Sequence, residues 1–139
     1  MSEQFQKPIA DQALMTRNIR ESWINRQTGR IKKDAFIPRR NGKDDDGLSV
    51  SQPGGDSREK LIERMNNQYG FFCGLLAGSI RGICEQSTDL DVHPNATERD
   101  PLHALITGVP TGRDEVALAT RLAQRLAEVS TQYVPSDAP

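Results

Sequence analysis

The chain is short of the features that usually announce a function. It has two cysteines, two histidines, one tryptophan and seven aromatic residues among 139, and 35% of its residues are hydrophobic. Two cysteines exclude a disulfide framework, and Cys73 and Cys84 lack the spacing and partners of a zinc site. The longest nearly apolar stretch, Phe71 to Ile80, is too short to span a bilayer. The opening Met-Ser-Glu-Gln-Phe-Gln has no apolar core, so no signal peptide is expected. A net charge of −1 argues against a dedicated nucleic-acid binder, which normally needs a clear positive excess. These absences predict a soluble, cytoplasmic protein of bacterial type, with no cofactor, no bound metal and no membrane partner.

What the chain does have is an uneven division of charge. Residues 17–43 hold nine Lys/Arg against two Asp/Glu, so the rest of the chain is strongly acidic. Trp23, Ile24, Ile31, Phe36 and Ile37 are interleaved with those cations, the pattern of a segment that folds. Arg17, Arg20, Arg26, Arg30, Lys32, Lys33, Arg39, Arg40 and Lys43 are the candidate binding residues, with Trp23 beside them. Such a set can meet an acidic protein surface, or track phosphates while Trp23 or Phe36 stacks on a base. Lys32-Lys33 and Arg39-Arg40 flank an expected strand and would form one patch with it. The run Asp44-Asp45-Asp46 lacks the alternating oxygen ligands of a calcium loop and reads as a solvated negative cap.

The length fits one domain. We expect a flexible tail over 1–12, a single α+β domain over 13–130, and a second flexible tail over 131–139. A helix is expected from Gln12 to Trp23, where Leu14, Ile19 and Trp23 partly share a face. Asn25–Gly29 reads as a turn. Arg30–Ile37 reads as a strand ended by Pro38, and Leu48–Ser51 as a short strand. Asp56 and Glu59 form a capping box opening a helix to about Asn67. Gly70–Ile80 reads as a buried strand, Arg81–Ser87 as a helical turn, and Asp89–Asn95 and Leu102–Thr107 as extended pieces. The last helix is expected to be capped by Thr111, with Asp114 in the capping-box position. It carries Leu118, Leu122 and Leu126 beside Ala119, Ala123 and Ala127. The sum is an α+β fold: a small antiparallel or mixed sheet packed by two or three helices, including a long C-terminal one.

A set of residues resembles a family of small uncharacterised bacterial proteins. They are Trp23, Gly29, Ala35-Phe36, Gly47-Leu-Ser-Val50 and His103-Ala-Leu-Ile-Thr-Gly108-x-Pro110. The resemblance covers roughly residues 17–128 and implies one compact domain, but no activity and no catalytic residue.

His103 is the one weak catalytic candidate, since a histidine exchanges a proton near neutral pH. A structural histidine on a strand is the plainer reading. His93, before Pro94, reads as a surface turn, and nothing in the spacing makes it converge with Asp89, Asp91 or a cysteine. Ser49, Ser51 and Ser79 lack an elbow motif or a local base. Gly74, Gly78 and Gly82 form no phosphate-binding fingerprint. The leading expectation is a small non-enzymatic accessory or protein-interaction module, using the basic patch on a protein partner or on a second copy of itself. The alternatives are a nucleic-acid-processing or nucleotide-modifying enzyme with His103 as acid/base, and a simple nucleic-acid-binding protein.

Overall fold

In the computed structural model, residues 8–39, 44, 46–52, 71–98 and 101–133 are described. The helix expected to open at Asp56 lies outside them. The rest is an α+β fold whose main sheet has six strands, all paired antiparallel. In chain order the strands are β1 (Leu14–Ile19), β2 (Leu48–Ser51), β3 (Phe71–Leu76), the hairpin β4 (Cys84–Glu85) and β5 (Thr88–Asp89), β6 (Asp91–Pro94), β7 (His103–Thr107) and β8 (Thr131–Tyr133). Two α-helices are described, α1 (Ala77–Arg81) and α2 (Val116–Val129). Strand order across the sheet is β6-β7-β2-β1-β3-β8, and β4-β5 stands apart as a two-stranded ribbon.

The helix expected at Gln12–Trp23 is instead β1, followed by a 3-10 turn at Glu21–Trp23. Alternation explains the strand: Met15 and Ile19 are fully buried, while Thr16 and Asn18 face the other way. The neighbour decides it, because β1 pairs with β3 in unbroken register from Leu14↔Leu76 to Ile19↔Phe71. Met15, Ile19, Cys73, Leu75, Leu48, Val50, Ala104, Ile106 and Val92 form the buried face of the sheet. Against it lie Leu122, Ala123, Leu126 and Ala127 of α2. Each fully buried leucine there contributes about 1.5–3 kcal/mol relative to an exposed one.

The strand expected over Arg30–Ile37 is absent. Ile31 makes a single antiparallel bridge to Ile24, and Lys33–Phe36 is a 3-10 turn that drops Ala35 and Phe36 into the core. The turn before it is as anticipated. Asn25 Oδ1 accepts from the amides of Gln27 and Thr28, and Gly29 takes φ 74°.

Leu48–Ser51 is a strand as expected. The apolar Gly70–Ile80 stretch is extended only from Phe71 to Leu76 and then turns into α1. The helical turn expected at Arg81–Ser87 ends at Arg81, and the chain enters the β4-β5 hairpin. Helix α2 starts later than its capping signals suggest. A 3-10 turn at Arg113–Glu115 precedes it, the Gly112 carbonyl accepts from the Glu115 amide, and neither Thr111 nor Asp114 caps it.

At both ends, residues expected in tails take part in the fold. Ile9 is buried, and Asp11 meets Arg81 at 2.8 Å. Thr131–Tyr133 pairs with Gly74–Phe72 as the edge strand. The fold has no helix, among the described residues, long and apolar enough to cross a membrane.

Candidate anion-binding cleft

The basic segment does not spread along one strand; it folds back so that part of it meets β2. A cleft of about 390 Å³ is lined by Arg17, Asn18, Arg20, Trp23, Ile37, Arg39, Asp44 and Ser49. Four of the sequence candidates, Arg17, Arg20, Trp23 and Arg39, are therefore neighbours. The described lining carries three guanidinium groups and one carboxylate, a formal excess of two positive charges.

Arg17 sits midway along β1, opposite Cys73 and on the strand face that carries Met15 and Ile19. A charge in that position must be anchored. Its Nε donates to the Ala35 carbonyl at 2.8 Å and its Nη1 to the Ser49 carbonyl at 2.7 Å. The guanidinium lies 5.7 Å from the centre of the Phe36 ring. The side chain so links β1, the 3-10 turn and β2. These two neutral acceptors orient the group.

Arg20 leaves the end of β1 and lies 5.5 Å from the centre of the Trp23 ring. Trp23 is half-buried, ends its 3-10 turn and accepts the Lys32 amide on its carbonyl at 2.7 Å. The ring is thus held between the core and the cleft.

Arg39 and Asp44 form the most elaborate contact. Asp44 Oδ2 accepts from the Arg39 backbone amide at 2.6 Å and from Nε at 3.1 Å, while Oδ1 accepts from Nη2 at 3.0 Å. The Asp44 side chain is only 9% exposed, against 57% for Arg39. This corrects the expectation of a solvated cap: one member of the acidic run turns inward to a guanidinium fork. Asp45 lies outside the described residues. Burial pushes the Asp44 carboxyl up, but the side-chain and backbone hydrogen bonds from Arg39, with the charges of Arg39 and Arg17, outweigh it and hold the carboxyl below its ordinary value.

The remaining candidates stand elsewhere. Arg26 rides on the exposed turn and reaches Glu21 at 3.5 Å, both side chains largely in water. Arg30 lines a separate concavity of about 310 Å³ with Gly29, Ile31, Ala127, Glu128, Ser130 and Thr131. Lys32 and Lys33 are exposed and do not line the cleft, so the patch expected with Arg39 does not form around them. Arg40 and Lys43 lie outside the described residues. Sequence reasoning missed Asn18, Ile37, Asp44 and Ser49 as lining residues. No local signal places Asn18 there, because strand alternation puts it on the face opposite Arg17.

His103 is half-buried on β7, opposite Ser51, with Nδ1 3.1 Å from the Asn95 carbonyl. It lies in neither lining, whether that of Arg39 or that of Arg30. His93 is exposed, with Nε2 3.5 Å from Asp91. Both cysteines are free. Burial pushes the Cys73 thiol up to about 12 in spite of the nearby Arg17 charge, so it is no nucleophile near neutral pH. A hydrogen bond with Asp89 raises the Cys84 thiol as well. Among the described residues, no group of three or more His, Cys, Asp or Glu is placed to hold a metal ion.

No protein-family model, no curated protein and no solved structure matches the chain, so the reading of the cleft rests on its own geometry.

Proposed function

We propose that this protein is a small non-enzymatic accessory module that binds an acidic partner protein through the arginine cleft. The observation that carries the reading is the meeting of Arg17, Arg20, Arg39 and Trp23 in one concavity. Arginine forks match carboxylate and phosphate oxygens, and a neighbouring indole adds apolar area that can hold the carbon part of an acidic residue. Arg17 is already oriented by two carbonyls, so little ordering cost remains at binding. A cytoplasmic setting accords with two free thiols, one of them exposed.

An enzymatic reading with His103 as acid/base has less support, because the cleft that gathers the arginines does not include it. The test is retention of a partner from native lysate by the immobilised full chain, compared with Arg20→Glu and, as an exposed control outside the cleft, Arg30→Glu. Wild type and Arg30→Glu should retain the same acidic protein, released by salt, and Arg20→Glu should lose it. Equal retention by Arg20→Glu, or a monomer that retains nothing, overturns the proposal.

A further inference from the structure

We propose that residues 9–11 are a detachable strap, and that the seat they fill beside α1 is a recognition site for the same segment of a second copy. The seat lies away from the arginine cleft. A tight turn separates the strap from β1, with the Ala13 amide donating to the Ala10 carbonyl at 3.0 Å. Three contacts then hold it. Ile9 is buried in the core. The Gly78 amide donates to the Asp11 carbonyl at 2.8 Å. Arg81 Nη1 donates to Asp11 Oδ1, also at 2.8 Å.

The seat is shaped by groups that do not depend on the strap. Arg81 Nε donates to Asp91 Oδ1 at 2.7 Å and Nη2 to the Val92 carbonyl at 3.2 Å. Both partners belong to β6, so Nη1 is aimed at the seat by the sheet edge itself. Gly78 supplies the room. A Cβ added there would stand 3.0 Å from the Asp11 Cβ and 3.2 Å from its carbonyl oxygen, and its three nearest atoms all belong to Asp11. The missing side chain at 78 therefore makes space for the strap.

The hold on the strap is small. Ala10 and Asp11 are exposed, and only Ile9 is buried. The Asp11 side chain is 74% exposed, and Arg81 shares its charge with Asp91, so the ion pair adds little. Burial of Ile9 supplies most of the hold. A segment with so few buried contacts opens locally while the sheet stays folded, with the turn at Gln12 as hinge. A second copy carries the same Ile9-x-Asp11 pattern. Exchange of straps between two copies then replaces every contact in kind, which makes a second copy the matching occupant.

Two full-length variants test this. Ile9→Ser/Asp11→Arg spoils the strap and keeps the seat; Gly78→Gln blocks the seat and keeps the strap. The readout is hydrogen exchange at the Gly78 amide, which only the first variant carries. That amide should exchange faster than in wild type. The peptide Pro-Ile-Ala-Asp-Gln-Ala, residues 8–13, should slow it again at millimolar concentration. Alanine in place of Ile9 should weaken the peptide about tenfold or more, and asparagine in place of Asp11 about two- to fivefold. The Gly78→Gln chain should slow the same amide as the peptide does, and the mixture should sediment as a one-to-one pair. Asp11→Arg alone changes one exposed side chain and repeats the test if the double variant loosens the fold.

If the peptide leaves the Gly78 amide of both strap variants unprotected, there is no recognition site and the proposal is overturned. Equal response of wild type shows that the strap does not fill the seat, and overturns it too. A peptide that binds while the Gly78→Gln chain does not overturns the second copy as occupant. None of these outcomes touches the reading of the arginine cleft.

Discussion

Replacing Asp44 tests whether the cleft wall is held by the contact that the structure assigns to it. Asp44→Ala removes the acceptor of three donors, the Arg39 backbone amide, Nε and Nη2. The backbone amide matters most, because it is partly buried and a lost acceptor there costs about 1–3 kcal/mol. The guanidinium head is 57% exposed and recovers water as a partner, so its share is discounted to about 0.2–1 kcal/mol. The expected loss at neutral pH is therefore about 1–4 kcal/mol in all. Urea unfolding should show it as a lower midpoint with an unchanged slope.

The pH dependence gives a second, sharper test of the same contact. The folded-state carboxyl is held below its ordinary value. Its stabilisation is thus fully present above the unfolded-state value and is lost as pH falls through the depressed folded value. The gap between wild type and Asp44→Ala should stay constant from neutral pH down to the ordinary carboxylate range, then close in stronger acid. A mutant as stable as wild type at neutral pH, or a gap that does not close in acid, refutes the reasoning.

Two further outcomes follow from contacts away from the cleft. Arg81 donates to Asp91 at 2.7 Å, to Asp11 at 2.8 Å and to the Val92 carbonyl at 3.2 Å, so Arg81→Met should cost about 1–3 kcal/mol. Hydrogen exchange should quicken at the Gly78 amide, which bonds the Asp11 carbonyl, more than at the β1-β3 ladder; a uniform change would show that Arg81 does not tie down the N-terminal segment. A thiol reagent at mild alkaline pH should label the exposed Cys84 in the native protein and reach Cys73 only on unfolding, and two native-state equivalents would contradict the burial of Cys73.

The sequence showed its strands best where alternation was clean and its partners unambiguous. Leu48-Ser-Val and Ala104-Leu-Ile place apolar and less buried residues on opposite faces, and both fold as β2 and β7 with Leu48↔Ile106 and Val50↔Ala104 facing one another. Local pattern failed at β1 because Arg17 occupies a position between two core residues. A cation there breaks the hydrophobic alternation, and Leu14, Ile19 and Trp23 then suggest a helical face. The pairing with β3 overrides that suggestion, and Arg17 is tolerated because carbonyls of distant elements receive it. None of those acceptors can be read from the neighbouring residues. The start of α2 failed for a different reason. The Thr111 and Asp114 signals are local and genuine in type, but the first turn tightens onto the Gly112 carbonyl and leaves them outside the helix.

The charge division was legible as a sum and not as a shape. Nine cations in residues 17–43 made a basic segment certain, yet two 3-10 turns and a glycine turn within that segment sort them into different places. Arg17 and Arg20 reach the cleft because they flank the end of β1; Arg39 reaches it because the chain has passed Phe36, whose buried ring anchors the return. Lys32 and Lys33 stay on the outside of that return, and Arg30 faces the end of α2. The decisive residue is one that the charge count set on the wrong side. Asp44 was grouped with the acidic break after the patch, but it is a counter-ion inside the patch, paired with Arg39. The Asp44 carboxylate already occupies the Arg39 fork and adds a negative charge that any anionic partner must face. Removing Asp44 should therefore strengthen the attraction of the cleft for an acidic peptide, even as it lowers the stability of the wall.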